Sequence, residues 1–250
     1  MSSPIILGPG IQIGAGITLV AAPPPPPPPA EEGSLLFNRT NYLSIPNNSA
    51  FDQNAGAWTV ECFAYPTSVV DFGATYGIYN QDSISRFLGM FYSGSRFGIA
   101  QSSGGFLQTS ASFSLNNWYH VAMVYNGSNA VTLYVNGNSA VTGNPGAMAA
   151  SGAATLIGSF TVGDNASRFK GNLSNLRVVK GVAVYTGNFT VPTAPLTVTQ
   201  SSGTNISAIT PGQTQLLLNT ASPDYFLDAS TNAFTVTNVN SVATSTDNPF

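Results

Sequence analysis

Three side chains in this sequence have the chemistry for bond making or proton transfer, Glu61, Cys62 and His120, and none has the partners such chemistry requires nearby in sequence. Hydrolysis of a glycosidic bond takes two carboxyl groups, about 5 Å apart in the retaining geometry. The neighbours of Glu61 on the same face of an extended strand are Thr59 and Phe63, because side chains alternate along a strand. A second carboxylate would have to come from the distant Asp71, Asp82, Asp164 or Asp224. His120 is the only histidine, so a Ser-His-Asp relay would have to be built on it. It sits mid-run between Trp118 and Ala122, which reads as a structural histidine hydrogen-bonded in or beside a sheet. Cys62 shares a face with Trp58 and Val60, the setting of a buried, inert thiol. One cysteine and one histidine cannot assemble a zinc site or an intramolecular disulfide.

The elements that hold these residues read as strands. Trp58-Thr-Val-Glu-Cys-Phe-Ala-Tyr65 alternates with apolar bulk on both faces, as a central strand does. Trp118 to Tyr125 and Ala130 to Val135 flank Asn126-Gly127, and Asn136-Gly137 turns the chain again. Asn-Gly supplies the positive φ angles that tight hairpins need. Further strands are expected at Leu35 to Asn38, Arg86 to Tyr92, Arg96 to Gln101, Thr155 to Ser159, Leu173 to Val179 and Gln215 to Asn219.

Composition agrees. Only 7 Lys+Arg and 10 Asp+Glu occur among 250 residues, a charged fraction of 7%, against roughly 25% in an ordinary soluble domain. Electrostatic nucleic-acid binding needs clustered Lys and Arg, and the basic residues are scattered between Arg39 and Lys180. Three glutamates and two lysines are too few to coat solvent-facing helices. Fifteen Phe, ten Tyr and 43% hydrophobic residues supply a large core, and with many β-branched residues they favour strands. With no positive n-region before Arg39 and no long apolar run, neither a secretory leader nor a membrane span is expected.

Residues 1–22 hold two copies of G-x-G-I-x-[I/L], with Ile11, Ile13, Ile17 and Leu19 as the apolar positions. Two copies cannot bury an apolar face alone, so an anchoring or oligomerising arm is expected. Residues 23–33 open with seven consecutive prolines, a stiff polyproline II spacer of roughly 20 Å.

Four segments in order carry a resemblance: Tyr42-Leu-Ser-Ile-Pro46, Trp58-Thr-Val-Glu-Cys-Phe63, Trp118-Tyr-His-Val-Ala122 and Leu133-Tyr-Val-Asn-Gly137. Together they resemble the laminin-G-like, or concanavalin A-like, jelly-roll domains over residues 34–220. Phe169 to Leu196 further resembles a segment of laminin-G-like modules in structural proteins of marine and cyanobacterial tailed phages. The resemblance implies an all-β sandwich behind an extended arm and linker, with residues 221–250 packing on their own domain or a neighbour's. The implied setting is a virion, with other virion proteins bound through the arm. No nucleic-acid or membrane partner is expected. A homo-oligomer is expected, a trimer being common among fibres.

Carbohydrate binding is frequent in the resembled family, and it needs an aromatic plate beside amide or carboxylate groups. Tyr76, Tyr79, Asn80, Asp82 and Arg86 lie together in one Gly- and Ser-containing stretch, and Arg168 beside Asp164 forms a second candidate. Many members of the fold hold calcium in loops; the candidates here are Asp82 and Asp164, whose simpler role is turn formation. Glycosidases of the fold carry two Glu flanking an Asp on one strand, a signature absent around Glu61. Three readings stand: non-enzymatic display with host-glycan contact as capsid decoration or tail fibre, a purely structural capsid or tail protein, and a glycan-degrading enzyme. The first is the expectation, without a cofactor other than calcium.

Overall fold

The computed structural model describes residues 32–53, 56–69, 76–81, 89–101, 105–146, 148, 152–221 and 223–250. The isoleucine repeat with Ile11, Ile13, Ile17 and Leu19, the seven prolines, Asp82 and Arg86 lie outside the described residues.

Fifteen strands account for most of the regular structure among the described residues. They are β1 (Ser34–Asn38), β2 (Tyr42–Ile45), β3 (Trp58–Pro66), β4 (Tyr76–Gln81), β5 (Gly89–Ser93), β6 (Arg96–Ala100), β7 (Phe106–Gln108) and β8 (Tyr119–Tyr125). There follow β9 (Val131–Val135), β10 (Asn138–Gly143), β11 (Thr155–Ile157), β12 (Lys170–Lys180), β13 (Thr214–Leu218), β14 (Thr237–Val239) and β15 (Ala243–Ser245). Helix is confined to three-residue turns, and no described helix is long and apolar enough to cross a membrane.

The strands form two antiparallel sheets. One runs β10-β9-β8-β3-β12-β1-β15, with β13 also on β12; the other runs β14-β2-β11-β4-β5-β6-β7. Their inner faces enclose a core that includes Phe37, Leu43, Ile45, Trp58, Val60, Met90, Tyr92, Phe97, Met123 and Leu133. Each such side chain stabilises the fold by ~1.5–3 kcal/mol on leaving water. The Asn136-Gly137 turn has φ of 48° and 76°, the doubly positive pair of a tight hairpin between β9 and β10.

Strand β12 organises the larger sheet. One edge pairs with β3 from Gly171↔Pro66 to Lys180↔Trp58. The other edge is shared by β1 at its start and β13 at its end. The register shifts between Ser174 and Arg177, where Asn175 takes a φ of 53°. This is the signature of a bulge: one extra residue that reverses which face the following side chains meet.

The C-terminal residues complete the sandwich of their own chain. Strand β15 pairs with β1 through Leu35↔Thr244, and β14 pairs with β2 through Leu43↔Asn238. Val242 between them is 3% exposed and belongs to the inter-sheet core. The packing unit therefore continues past residue 220. Ending the chain at residue 236 is expected to cost at least ~2 kcal/mol, since Val242 and two edge pairings are lost. Urea midpoints at two protein concentrations check this: the loss should be the same at both, and a concentration-dependent midpoint would indicate exchange of these strands between copies.

Candidate functional site

Two of the three reactive side chains singled out in the sequence, Glu61 and His120, meet on the outer face of the larger sheet, while Cys62 faces the inter-sheet core. Glu61 on β3 is the register partner of Arg177 on β12. One Glu61 oxygen, Oε1, accepts from Arg177 Nε at 2.8 Å and Nη2 at 2.6 Å. The other, Oε2, accepts from the Tyr185 hydroxyl at 2.6 Å and lies 3.1 Å from His120 Nε2 on β8. Arg177 also donates through Nη1 to the Thr197 carbonyl and through Nη2 to Gln200 Oε1. The chain between β12 and β13, residues 181–213, closes over this cluster. Tyr185 stacks on Phe189 at 3.6 Å and 6°, and His120 meets the edges of Phe63 and Phe189.

These contacts fix the electrostatics. Burial works to raise the Glu61 pKa, but the Arg177 charge and the bonds from His120 and Tyr185 outweigh it and hold the carboxyl at about 2. Burial, reinforced by the Glu61 charge, pushes the Tyr185 phenol and the Cys62 thiol far above their usual ranges. A carboxylate offers about four lone-pair directions, and Glu61 has all of them engaged in a site closed to water. Glu61 therefore has no lone pair left over, while His120 Nδ1 and Gln200 Nε2 are buried without a hydrogen-bond partner. His120 thus sits in the sheet with a carboxylate partner, and Cys62 is buried and free.

The candidate binding residues of the Gly- and Ser-containing stretch and of the Asp164–Arg168 pair are distributed differently. Tyr76 opens β4. Tyr79 is buried among the residues between the sheets, and Asn80 is buried with its amide donating to the Phe160 carbonyl at 2.6 Å. The physical reason is that β4 is an interior strand, paired with β11 on one side and β5 on the other. Asp164 caps the short turn 165–167 by accepting from Ala166 N at 2.8 Å. Arg168 forms no ion pair with it; Nη1 donates to the Thr40 carbonyl, and the guanidinium lies 4.7 Å over the Tyr42 ring. No group of three or more His, Cys, Asp and Glu suited to a metal ion occurs among the described residues.

A second aromatic cluster, itself buried but with one exposed ring at its margin, occurs on the outer face of the smaller sheet. Phe91, Ala100 and Phe160 form a cluster separate from the inter-sheet core. Phe106 on β7 lies edge-on to Phe91 at 5.4 Å and is 58% exposed. Gly98, opposite both Phe91 and Gln108, has no room for a side chain because a Cβ would strike the Phe91 ring. Gly89 is restricted in the same way by Asn80 and Phe160. The sequence carried a signal for this face: Gly89 and Phe91 alternate with core residues Met90 and Tyr92, and Gly98 and Ala100 alternate with Phe97 and Ile99. A separate groove of about 550 Å³ opens over Arg177, walled by Pro192, Pro195, Thr197, Thr199 and Gln200. Its lining contains no aromatic ring, and its basic floor has its donors spent on Glu61, Thr197 and Gln200.

A pH dependence follows from Glu61. Its carboxyl has a pKa of about 2 when folded and about 4.5 as a free side chain, so the unfolded chain binds the proton first. The stabilisation is complete above about pH 4.5 and is lost as pH falls through about 2. Glu61→Gln is expected to flatten that dependence and to cost roughly 3–5 kcal/mol, because Arg177 stays buried without a counter-charge. Urea midpoints between pH 2 and pH 7 for the two proteins provide the measurement.

Comparison with known proteins matches this architecture. A Bacteroides ovatus ATCC 8483 protein proposed to bind carbohydrate superposes with a TM-score of 0.57 at 15% identity, over 86% of this chain and 62% of that one. This chain thus spans less than two thirds of that protein's length. A pentraxin of Limulus polyphemus aligns at 20% identity and a TM-score of 0.44, over 59% of this chain and 76% of its own. The arabinotriose-bound domain 4 of a Geobacillus stearothermophilus arabinanase aligns at 15% identity and 0.44, over 58% and 69%. No curated protein matches the chain by sequence. The laminin-G-type profile of the concanavalin A-like lectin/glucanases superfamily matches residues 37–184. That stretch is more than half of the chain and contains Glu61, His120 and Arg177, and the chain belongs to the concanavalin A-like lectin/glucanases superfamily.

Proposed function

We propose that this chain is a non-catalytic, glycan-contacting virion protein whose sandwich is carried outward by the polyproline stalk and held on the particle by residues 1–22. The observation that carries the glycan contact is Phe106, an aromatic ring left 58% exposed at the edge of the smaller sheet and braced edge-on by the buried Phe91 ring. Sugars present flat C–H faces that pack on aromatic rings, and their hydroxyls take hydrogen bonds from amides around the rim. The full engagement of Glu61 supports a non-catalytic role. The B. ovatus relative, itself proposed to bind carbohydrate, is in keeping with this reading. The virion setting rests on the likeness of residues 169–196 to tailed-phage modules and on the order arm, stalk and head. The partners are other virion proteins through the arm, a host-surface glycan, and further copies of the chain.

The test is a glycan array probed with the full chain and with Phe106→Ala. Binding to at least one host polysaccharide is expected, with about a tenfold loss in the variant, on the order of 1–2 kcal/mol for a lost ring contact. The urea midpoint should be unchanged, because Phe106 is largely in solvent. A flat array would leave a purely structural capsid or tail role, and release of reducing sugar would restore the enzyme reading. Localising the chain in assembled particles by antibody labelling tests the virion setting independently.

A further inference from the structure

The chain has 7 basic residues, and Arg168 is placed unlike an ordinary surface arginine. It is only 6% exposed, and its Nε is buried without a hydrogen-bond partner. Its contacts are a bond from Nη1 to the Thr40 carbonyl and the face of Tyr42. Among the described residues no carboxylate pairs with it, and Asp164, four residues earlier, spends its side chain on the Ala166 amide. A guanidinium out of water normally has a carboxylate or several acceptors, because desolvating its charge is costly. The other buried arginine meets that condition, with Arg177 bonded to Glu61, Thr197 and Gln200.

Further donors and charge gather around it. Asn240 Nδ2 donates to the same Thr40 carbonyl at 2.8 Å, which brings the amide beside the guanidinium. Arg39 N donates to the Phe169 carbonyl, and Lys170 pairs in register with Asn38. The backbones of three of the 7 basic residues, Arg39, Arg168 and Lys170, thus lie close together where β1 ends and β12 begins. Arg168 also bridges to Ser159 and Gly77, beside Phe160 and the register partner of Phe91. The Arg168 backbone therefore lies beside the segments that carry the Phe91 and Phe160 cluster.

We infer that Arg168, with Asn240 beside it, binds an oxyanion group, a sulfate, phosphate or carboxylate, carried by an acidic saccharide. A planar fork of N–H donors matches two oxygens of such a group, and partial desolvation strengthens the contact. This rests on the glycan-contact reading above and adds the class of glycan to it.

The experiment follows the Arg168 Nε–Hε resonance of the ¹⁵N-labelled full chain, assigned by its loss in Arg168→Lys. The chain is titrated with sulfated dextran, with neutral dextran and with inorganic sulfate. The expected result is a saturable shift with sulfated dextran and none with neutral dextran, reversed by 0.5 M NaCl. Affinity should fall about tenfold or more in Arg168→Gln, the loss of a charge-assisted hydrogen-bond pair. Asn240→Ala, which leaves the arginine in place, should weaken binding by a smaller factor. No shift with sulfated dextran overturns the inference, as does a response to inorganic sulfate as strong as that to the polymer. Phe106→Ala keeps the two readings distinguishable: loss of array binding in that variant with no Arg168 shift refutes the acidic-glycan site alone. An Arg168 shift indifferent to Phe106→Ala, beside a flat array, refutes the aromatic platform alone.

Discussion

The bond between Glu61 and Arg177 sets conditions that much of the structure satisfies. Two opposite charges lie side by side on adjacent central strands, both out of water. Such a pair is tolerable only when the remaining donors and acceptors are also satisfied. The 181–213 connection meets that demand, supplying the Tyr185 hydroxyl, the Thr197 carbonyl and the Gln200 amide oxygen. The pair itself depends on the bulge at Asn175. Ser174 faces Phe63, and unbroken pairing would set Leu176 opposite Glu61 and turn Arg177 inward; the extra residue brings Arg177 to that place instead. Asn175 also accepts from the Leu196 amide, so the residue that sets the register also ties down the connection that covers the pair.

This explains what could and could not be read from the sequence. The residues from Trp58 to Tyr65 carry apolar bulk on both faces, so a central strand with a covered outer face was legible, and the buried cysteine and structural histidine with it. The partner of Glu61 was not. Arg177 lies 116 positions away, and the bulge breaks the alternation that would have assigned its face. The stretch around Tyr79 misled for a related reason: its glycines and serines suggest a loop, whereas Tyr79 and Asn80 lie on a strand paired on both edges. The Phe106 surface depends on cross-strand neighbours, since Ala100 meets Phe106 and Gly98 meets Gln108 only through pairing. No sequence spacing encodes that directly.

The low charge content takes on a structural meaning as well. With 7% charged residues, polar stabilisation passes to hydroxyls and amides. Ser174, Thr220 and the Gly33 carbonyl form a buried network beside Asn172 and Ser34. Asn126 Oδ1 accepts from the amides of Ser128, Asn129 and Ala130 in a single turn. Contacts of this kind are insensitive to screening, which acts on charges.

The two outer faces then divide the work. On the larger sheet the charged pair demands cover, and the long connection between β12 and β13 supplies it, so that face is occupied by the chain itself. On the smaller sheet no buried ion pair occurs among the described residues, and Phe91 and Phe160 pack over Gly98 and Gly89 while Phe106 at the edge stays in solvent. The placement of one ion pair therefore goes with a long covering connection on the larger sheet, whereas the smaller sheet covers its outer aromatic rings with little charge and leaves Phe106 exposed at its edge.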